Sequence, residues 1–320
     1  MDNLTHSLVG AVLGQAGLKR TTGLAMPALI IGANLPDVDA ACFFWLEGTE
    51  HLAFRRGITH GPPALVLLPL ILAGLLWGWD RWQTQRGKRP EGRLPVRFGW
   101  LYAMAFIGCL SHPFFDWLNV YGIRLLEPFS SRWFYGDTLF IIDVWLWALL
   151  IGTVWWSRRR EKRGGDWMRP ARVGIAVGLA YIGVNAGISA MAVSSLPPYE
   201  KENKFGAEVI ANPVPLAFWE RDLIDGYPSL YWHSRYLAFS GHSGRREVGN
   251  PCFVNVWHFA NQSEADPQVA AFGFWSRAPF AARAPDGSVM LYDARFYDPR
   301  ARGRFSVALP DVECEELPTP

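Results

Sequence analysis

The feature that most constrains this chain is a set of long runs without charged residues. Residues 62–79 (PPALVLLPLILAGLLWGW) and residues 173–196 contain no Asp, Glu, Lys or Arg. Each run is long enough for a helix to cross a hydrocarbon core of roughly 30 Å. Residues 98–115 are likewise uncharged, and residues 139–156 carry only Asp143. We therefore predict four membrane helices from these runs.

Two further segments near the start of the chain are apolar but less regular. Residues 21–46 form an apolar run that is interrupted at Pro36, and they predict a fifth span that is broken there. Residues 4–18 are short for a span and predict a tilted, re-entrant or interfacial helix. The predicted fold class of residues 1–196 is therefore an all-α polytopic membrane domain of five to six helices.

Lys and Arg are concentrated in two of the connecting segments. Residues 80–97 hold six of them and residues 158–172 hold seven, whereas residues 47–61 and 119–138 hold two each. Because positive charges beside membrane spans collect on the cytoplasmic side, the first two segments are expected inside and the other two outside the bacterial inner membrane. We interpret the basic segments as topology signals, and no nucleic-acid partner is expected.

Residues 197–320 differ in composition from the first part of the chain. They contain many turn signals and short aromatic stretches at 231–239, 252–257 and 289–292, which is typical of β-strands. We predict a β-rich soluble domain here, and the number of preceding spans places it in the periplasm. Cys252 and Cys314 would then meet an oxidising compartment and can form a disulfide.

Ionisable residues of the apolar part fall near the outer ends of the predicted spans. A charged side chain at membrane depth is costly and commonly marks a function. The residues that share this depth are His6, Asp37, Asp39, His60, His112, Asp116, Asp137 and Asp143. His112 and Asp116 also share one helix face, because they are four residues apart. We predict that most of these side chains form one cluster.

Imidazole and carboxylate groups in this number indicate a metal centre. Neutral His and ionised Asp are ligands of Zn²⁺, Mn²⁺ and Fe²⁺, and we predict one or two divalent ions, with zinc as the first choice. A carboxylate such as Asp39 can bridge, orient a ligating His or act as general base. A purely structural interpretation also exists, because Asp37 and Asp39 can cap a helix after Pro36 and His112 can form a helical contact with Asp116.

Two residues outside the ligand set receive separate interpretations. Arg56 lies four residues before His60, and its guanidinium is a candidate contact for a substrate phosphate, which it can bind in a bidentate manner. Alternatively, Arg56 is an ordinary loop residue or contacts lipid headgroups. Asp137 is expected to cap the helix that follows it.

Five short motifs occur in order along the first half of the chain. They are residues 5–10 (THSLVG), 34–39 (NLPDVD), 56–61 (RGITHG), 111–116 (SHPFFD) and 136–143 (GDTLFIID). In this order they resemble the motifs of the YdjM-type family of bacterial inner-membrane proteins, which are regarded as metal-dependent hydrolases. The resemblance covers about residues 1–157. It departs at Val144, where the family commonly has proline, so the start of that helix is expected to differ.

The resemblance implies a reaction class and a set of ligands. The family is similar to zinc-dependent phospholipase C and to P1-type nucleases, all-helical enzymes with clustered His and Asp ligands, and this similarity implies phosphoester hydrolysis. By position, the implied ligands are His6, Asp37, Asp39, His60, His112, Asp116 and Asp143. The chain is thus expected to be a metal-dependent hydrolase with Asp39 and Arg56 as catalytic residues. It is expected to contact membrane lipid. Its expected substrate is an amphiphilic phosphoester, part of a lipid or lipid-linked molecule, which it cleaves at the outer face of the inner membrane.

Two other classes of function stay open at this point. A transporter or ion-binding membrane protein would use the same residues to hold a metal in transit, but it needs polar groups through the inner halves of the spans. Residues 173–196 offer only Asn185 with a few Ser and Tyr. A non-catalytic assembly protein would instead bind a partner through the aromatic-rich region 231–257.

Overall fold

The computed structural model describes residues 1–196, 209–227, 230–249, 251–252, 254, 266–310 and 312–314. The chain divides into two compact units, one of residues 1–39 and 56–185 and the other of residues 40–55 and 186–320. The first unit is mostly helical and the second carries two β-sheets. A helical N-terminal region and a separate β-rich C-terminal domain are therefore confirmed. The predicted boundary at 196/197 adjoins residues 197–208, which lie outside the described residues.

The helices of the first unit differ in length and in regularity. They are α1 (Asn3–Gln15), α2 (Ala25–Gly32), α4 (Pro62–Gln85), α5 (Phe98–Trp117), α6 (Val144–Lys162) and α7 (Met168–Ser195), whose last turns extend into the second unit; α3 (Glu50–Phe54) belongs to the second unit. Within the described part of the chain, α4, α5 and α7 are long and apolar enough to cross a membrane. The pair formed by α2 and the 3₁₀ segment Leu35–Phe44 is bent by 49° and gives up to a fourth span.

The expected count of five to six membrane helices is not confirmed, and α6 accounts for part of the difference. The predicted span 139–156 becomes helical only at Val144, because Asp143 is the N-cap and accepts a hydrogen bond from Leu146 N at 2.8 Å. The last turn of α6 is basic, so its apolar part is shorter than a full span. The prediction that Asp137 caps this helix is therefore wrong, because Asp143 is the capping residue. Asp137 lies six residues earlier, in the segment before the helix, and its φ is 45°.

Glycines bring α1, α2 and α5 close together. A Cβ on Gly10 of α1 would lie 2.7 Å from the carbonyl oxygen of Leu29 in α2, and a Cβ on Gly108 of α5 would lie 2.5 Å from the same oxygen. Gly32 of α2 makes a similar approach, since its Cβ would lie 2.6 Å from the carbonyl oxygen of Ala105. Small residues allow the backbones of membrane helices to approach closely. As a result, α2 packs directly against both α1 and α5.

The two ends of the helical unit carry different charged groups. α1 starts beside His6 and is followed by Lys19, whose ammonium group contacts Glu161 of α6 at 2.5 Å. α5 runs the other way, because it starts after Arg97 and carries Asp116 in its last turn. The His and Asp residues therefore lie at one end of the helices, and the basic segments lie at the other.

The second unit contains two antiparallel sheets. One sheet has the order β1 (Ile210–Pro213), β2 (Glu220–Tyr227), β3 (Leu230–Leu237) and β4 (Gly241–Glu247), and the other has the order β5 (Pro251–Cys252), β6 (Pro279–Arg283), β7 (Val289–Asp293) and β8 (Ser306–Ala308). The unit also holds α8 (Pro267–Trp275). The aromatic stretches 231–239 and 289–292 fall largely in β3 and β7, whereas most of the stretch 252–257 lies outside the described residues. Cys252 and Cys314 form a disulfide.

Replacing Gly108 by Ala tests the close packing of α2 and α5. We expect Gly108→Ala to lower the free energy of unfolding by about 1–3 kcal/mol, because the new methyl group overpacks the contact with the Leu29 carbonyl. Gly74→Ala in α4 is the matched control, since a Cβ there meets nothing within 4 Å, and its better helix propensity leaves stability equal or raises it by up to about 1 kcal/mol. Unfolding in detergent measures both variants. Equal midpoints for the two variants would contradict the packing.

Counting accessible thiols tests the disulfide. We expect a maleimide reagent to label two of the four cysteines, Cys42 and Cys109, in protein denatured without reductant, and all four after reduction. Cys252→Ser should release Cys314 and raise the unreduced count to three. Intact-mass spectrometry of protein purified from membranes gives the number. Labelling of all four thiols without reductant would contradict the pairing.

Candidate metal centre

Side chains from separate segments meet around Asp116 at the end of α5. His6 comes from α1, His60 from the 3₁₀ segment Ile58–His60 and His112 from the preceding turn of α5, and all three rings are fully buried. The Nε2 atom of His6 lies 3.4 Å from Asp116 Oδ1, and those of His60 and His112 lie 3.6 and 3.5 Å from Asp116 Oδ2. Asp37, which follows α2, places its Oδ1 3.8 Å from His112 Nε2. The structure thus brings five of the predicted residues together.

The spacing of these atoms fits the ligands of a metal ion. Two atoms bound at about 2.1 Å and at a tetrahedral angle lie about 3.4 Å apart. His60, His112 and Asp116 offer ligand atoms that all lie within 4.8 Å of one another, and His6, Asp37 and His112 form a second such group.

Unpartnered imidazole nitrogens support the same interpretation. Both ring nitrogens of His6 and the Nε2 atoms of His60 and His112 are buried and have no hydrogen-bond partner among the described residues. A buried polar atom without a partner is costly. Coordination of a divalent cation would satisfy the nitrogens that face Asp116.

Hydrogen bonds to the other ring nitrogens fix two of the tautomers. His112 Nδ1 lies 2.7 Å from the carbonyl oxygen of Ala33, so this nitrogen carries the proton and Nε2 keeps its lone pair. The hydroxyl of Thr59 donates to Asp39 Oδ2 at 3.2 Å and lies 2.9 Å from His60 Nδ1. The Thr59 oxygen must therefore accept from His60 Nδ1, which again leaves Nε2 unprotonated. Burial lowers the pKa of His60 as well, and neutral imidazole is the form that binds metals.

Asp39 lies on the Nδ1 side of His60, whereas Asp116 and the rest of the cluster lie on the Nε2 side. Its Oδ2 accepts a hydrogen bond from the backbone N–H of Arg56 at 2.8 Å and lies 3.6 Å from His60 Nδ1. Among the described residues, neither group of candidate ligand atoms includes Asp39. Of the roles open to it from the sequence, this position favours orienting His60.

The side chain of Arg56 lies inside the cluster and is 5% exposed. Its Nε lies 3.0 Å from Asp116 Oδ2 and its Nη2 donates to Asp116 Oδ1 at 3.2 Å. Nη1 donates to Asn119 Oδ1 at 3.0 Å and to the carbonyl oxygen of Gly122 at 3.2 Å. Arg56 therefore neutralises and holds Asp116, while its contact with a substrate phosphate stays a prediction. Asn119 was not assigned a role from the sequence, although it is a polar residue just after the end of an apolar helix.

Asp2 positions the start of α1 and was also missed at the sequence level. Its Oδ1 accepts hydrogen bonds from two backbone N–H groups of the first turn at 3.0 and 3.1 Å, and its Oδ2 accepts from Trp147 Nε1 at 3.2 Å. The amino group of Met1 contacts the central carboxylate. One turn into the helix, His6 stacks on His112 with ring centroids 3.8 Å apart. An Asp just before an apolar helix is a capping signal that could have been read from the sequence.

Asp143 belongs to neither group of candidate ligand atoms within the described part of the chain. Its carboxylate caps α6 and accepts a hydrogen bond from the Tyr181 hydroxyl of α7 at 3.0 Å. This placement favours a role in joining α6 to α7. Its implied role as a ligand stays a prediction.

The long apolar helices indicate a membrane protein, and its buried His and Asp residues form one candidate metal site. The chain belongs to the YdjM inner membrane protein family, whose model matches residues 1–192. The match confirms the resemblance and extends it beyond about residue 157, where the recognised region ends. No curated protein and no solved structure matches the chain.

Replacing Asp39 by Asn distinguishes an orienting carboxylate from a ligand. We expect Asp39→Asn to weaken zinc affinity by roughly 10–100-fold, because the partner that orients His60 loses its charge. His112→Ala should lose far more affinity, and Asp286→Asn, on an exposed turn of the second unit, should lose none. Competition with a chromophoric chelator measures all three. A loss in Asp39→Asn as large as that in His112→Ala would show that Asp39 itself binds the metal.

Proposed function

We propose that this protein is a membrane-embedded metal-dependent hydrolase that cleaves a phosphoester bond. One observation carries the proposal. Three buried Nε2 atoms face a single carboxylate at distances between 3.4 and 3.6 Å, and they have no hydrogen-bond partner among the described residues. Such a set of nitrogen and oxygen donors is typical of a hydrolytic metal site.

In this proposal His60, His112 and Asp116 hold the ion, with His6 and Asp37 beside it. The Nδ1 of His112 is engaged by Ala33, so only its Nε2 can bind, and the two candidate groups share this residue. The groups therefore describe overlapping positions for one ion. A donor set of imidazole and carboxylate favours Zn²⁺, with Mn²⁺ or Fe²⁺ as alternatives. Three protein ligands also leave a position for water or substrate.

A divalent metal held here would supply a Lewis acid that polarises a phosphoryl oxygen and lowers the pKa of water. The protein keeps the ligands in place around it. Arg56 holds both oxygens of Asp116, and Asp39 holds His60 through Thr59. Asp37 is the more accessible carboxylate, since its side chain is 9% exposed against 1% for Asp116. We assign to Asp37 the role of accepting a proton from the attacking water.

The substrate in this proposal is amphiphilic, a phosphoester in a lipid or lipid-linked molecule. The cluster lies at one end of apolar helices, where the hydrocarbon part of a lipid can stay in the membrane while its phosphate enters the site. The basic segments lie at the other end of the same helices, which supports an outward-facing site in a multi-pass protein. The disulfide Cys252–Cys314 supports a periplasmic position for the second unit.

Metal analysis of detergent-purified protein tests the centre first. We expect about one zinc per chain, and we expect His60→Ala and His112→Ala to lose it because each removes a ligand. The matched control is His242→Ala, which removes an exposed histidine of β4 and should keep the metal. Mass spectrometry of the eluted metals gives the ratio. Unchanged metal content in both site variants would contradict the assignment.

The same variants then test the reaction. Phosphoester and phospholipid turnover should fall at least about 100-fold in His60→Ala and His112→Ala and stay at the wild-type level in His242→Ala. Circular dichroism checks that the variants remain folded. Zinc binding without turnover of any phosphoester would contradict the hydrolase while leaving the metal centre in place.

A further inference from the structure

Two grooves run along the sides of α6 near its basic end. The groove between α6 and α7 has a volume of about 830 Å³, and its apolar lining includes Gly152, Val173 and Val177. The groove on the other side has a volume of about 650 Å³, and Leu8 of α1 and Val154 line it. Both grooves lie within the helical unit, and the arginines that line them belong to the end of α6 opposite its Asp143 cap.

Three residues line both grooves, and we call them the α6 ridge: Trp155, Arg159 and Arg163. They are spaced by four, so they lie along one helix face. Trp155 is 60% exposed, and the guanidinium of Arg159 lies 5.3 Å from its ring centroid. The ridge therefore presents an apolar ring next to two positive charges, with an apolar groove on each side.

Among the described residues, the positive charge around the ridge has no acidic partner of its own. Glu161 is the only acidic residue between 158 and 163, and Lys19 already pairs with it. Within the described part of the chain, no ion pair is formed by Arg158, Arg159, Arg160, Lys162 or Arg163. Like charges four residues apart on a helix repel each other, so an anion bound here would be stabilised.

We propose that the α6 ridge binds an anionic diacyl phospholipid of the surrounding membrane. The phosphate lies against Arg159 and Arg163, and one acyl chain lies in each groove, on either side of Trp155. Three observations select this occupant: the grooves are apolar, one of them borders the candidate span α7, and the charge of the ridge complements a phosphate. Basic pockets between membrane helices on the cytoplasmic side commonly hold such headgroups. The site is independent of the metal centre.

Lipid binding to the full-length protein in detergent tests the proposal. The probes are phosphatidylglycerol and phosphatidylcholine with the same two acyl chains, titrated with native mass spectrometry as the readout. We expect wild-type protein to prefer phosphatidylglycerol. The double variant Arg159→Gln with Arg163→Gln should weaken phosphatidylglycerol binding roughly 30-fold, the equivalent of about 2 kcal/mol at about 1 kcal/mol for each charge.

A matched control uses the other basic segment. Arg81 and Arg86 are exposed, lie over the rings of Trp77 and Trp82 at 4.1 and 5.4 Å, and line neither groove. The double variant Arg81→Gln with Arg86→Gln should therefore change phosphatidylglycerol binding by less than about twofold, because it leaves the ridge intact. An equal loss in both double variants would overturn the site, since it would show a general effect of surface charge.

Two further arms test the position of the acyl chains. A Cβ on Gly152 meets nothing within 4 Å, so Gly152→Leu fills the groove between α6 and α7 without overpacking the helices, and it should weaken binding of the diacyl lipid. Lysophosphatidylglycerol, which has one chain, should bind more weakly than the diacyl form. Equal binding of phosphatidylglycerol and phosphatidylcholine, or competition by inorganic phosphate alone, would overturn the proposal of a lipid site.

Discussion

The buried carboxylate of Asp116 is the group on which the helical unit depends. Removing a carboxylate from water costs several kcal/mol unless other groups compensate its charge. Arg56 contacts both oxygens, and three imidazoles face them at distances typical of shared metal ligands. These partners come from separate segments of the chain. Their meeting at Asp116 therefore requires that α1, α5 and the Ile58–His60 segment be held at fixed positions.

Two kinds of local structure provide that fixed geometry. Glycine contacts let α2 lie directly against α1 and α5, so the backbone that follows α2 carries Asp37 to the end of α5. Short hydrogen-bonded chains then orient the rings, with Ala33 holding His112, and Thr59 and Asp39 holding His60. The candidate ligands are therefore preorganised, since the ring nitrogens already face the carboxylate.

The helical unit separates two kinds of electrostatic environment along the same helices. At one end, acidic and imidazole groups are buried and mutually compensated around Asp116. At the other end, the basic residues of α6 are exposed and flank apolar grooves. A membrane protein can keep this separation because its apolar helices hold the two ends apart.

The sequence by itself determined the family, the apolar helices, the break next to Pro36 and the identity of most residues in the cluster. These features depend on composition and on spacing along the chain, which are local properties. Only the tertiary structure decided that Asp39 lies behind His60, that Arg56 pairs with Asp116 and that Asp143 caps α6. It also decided that α6 has too short an apolar part to count as a full span. The physical reason is that these roles depend on contacts between side chains far apart in sequence. They also depend on which carboxylate accepts the hydrogen bonds of the free N–H groups at a helix start. The local pattern of the sequence determines neither.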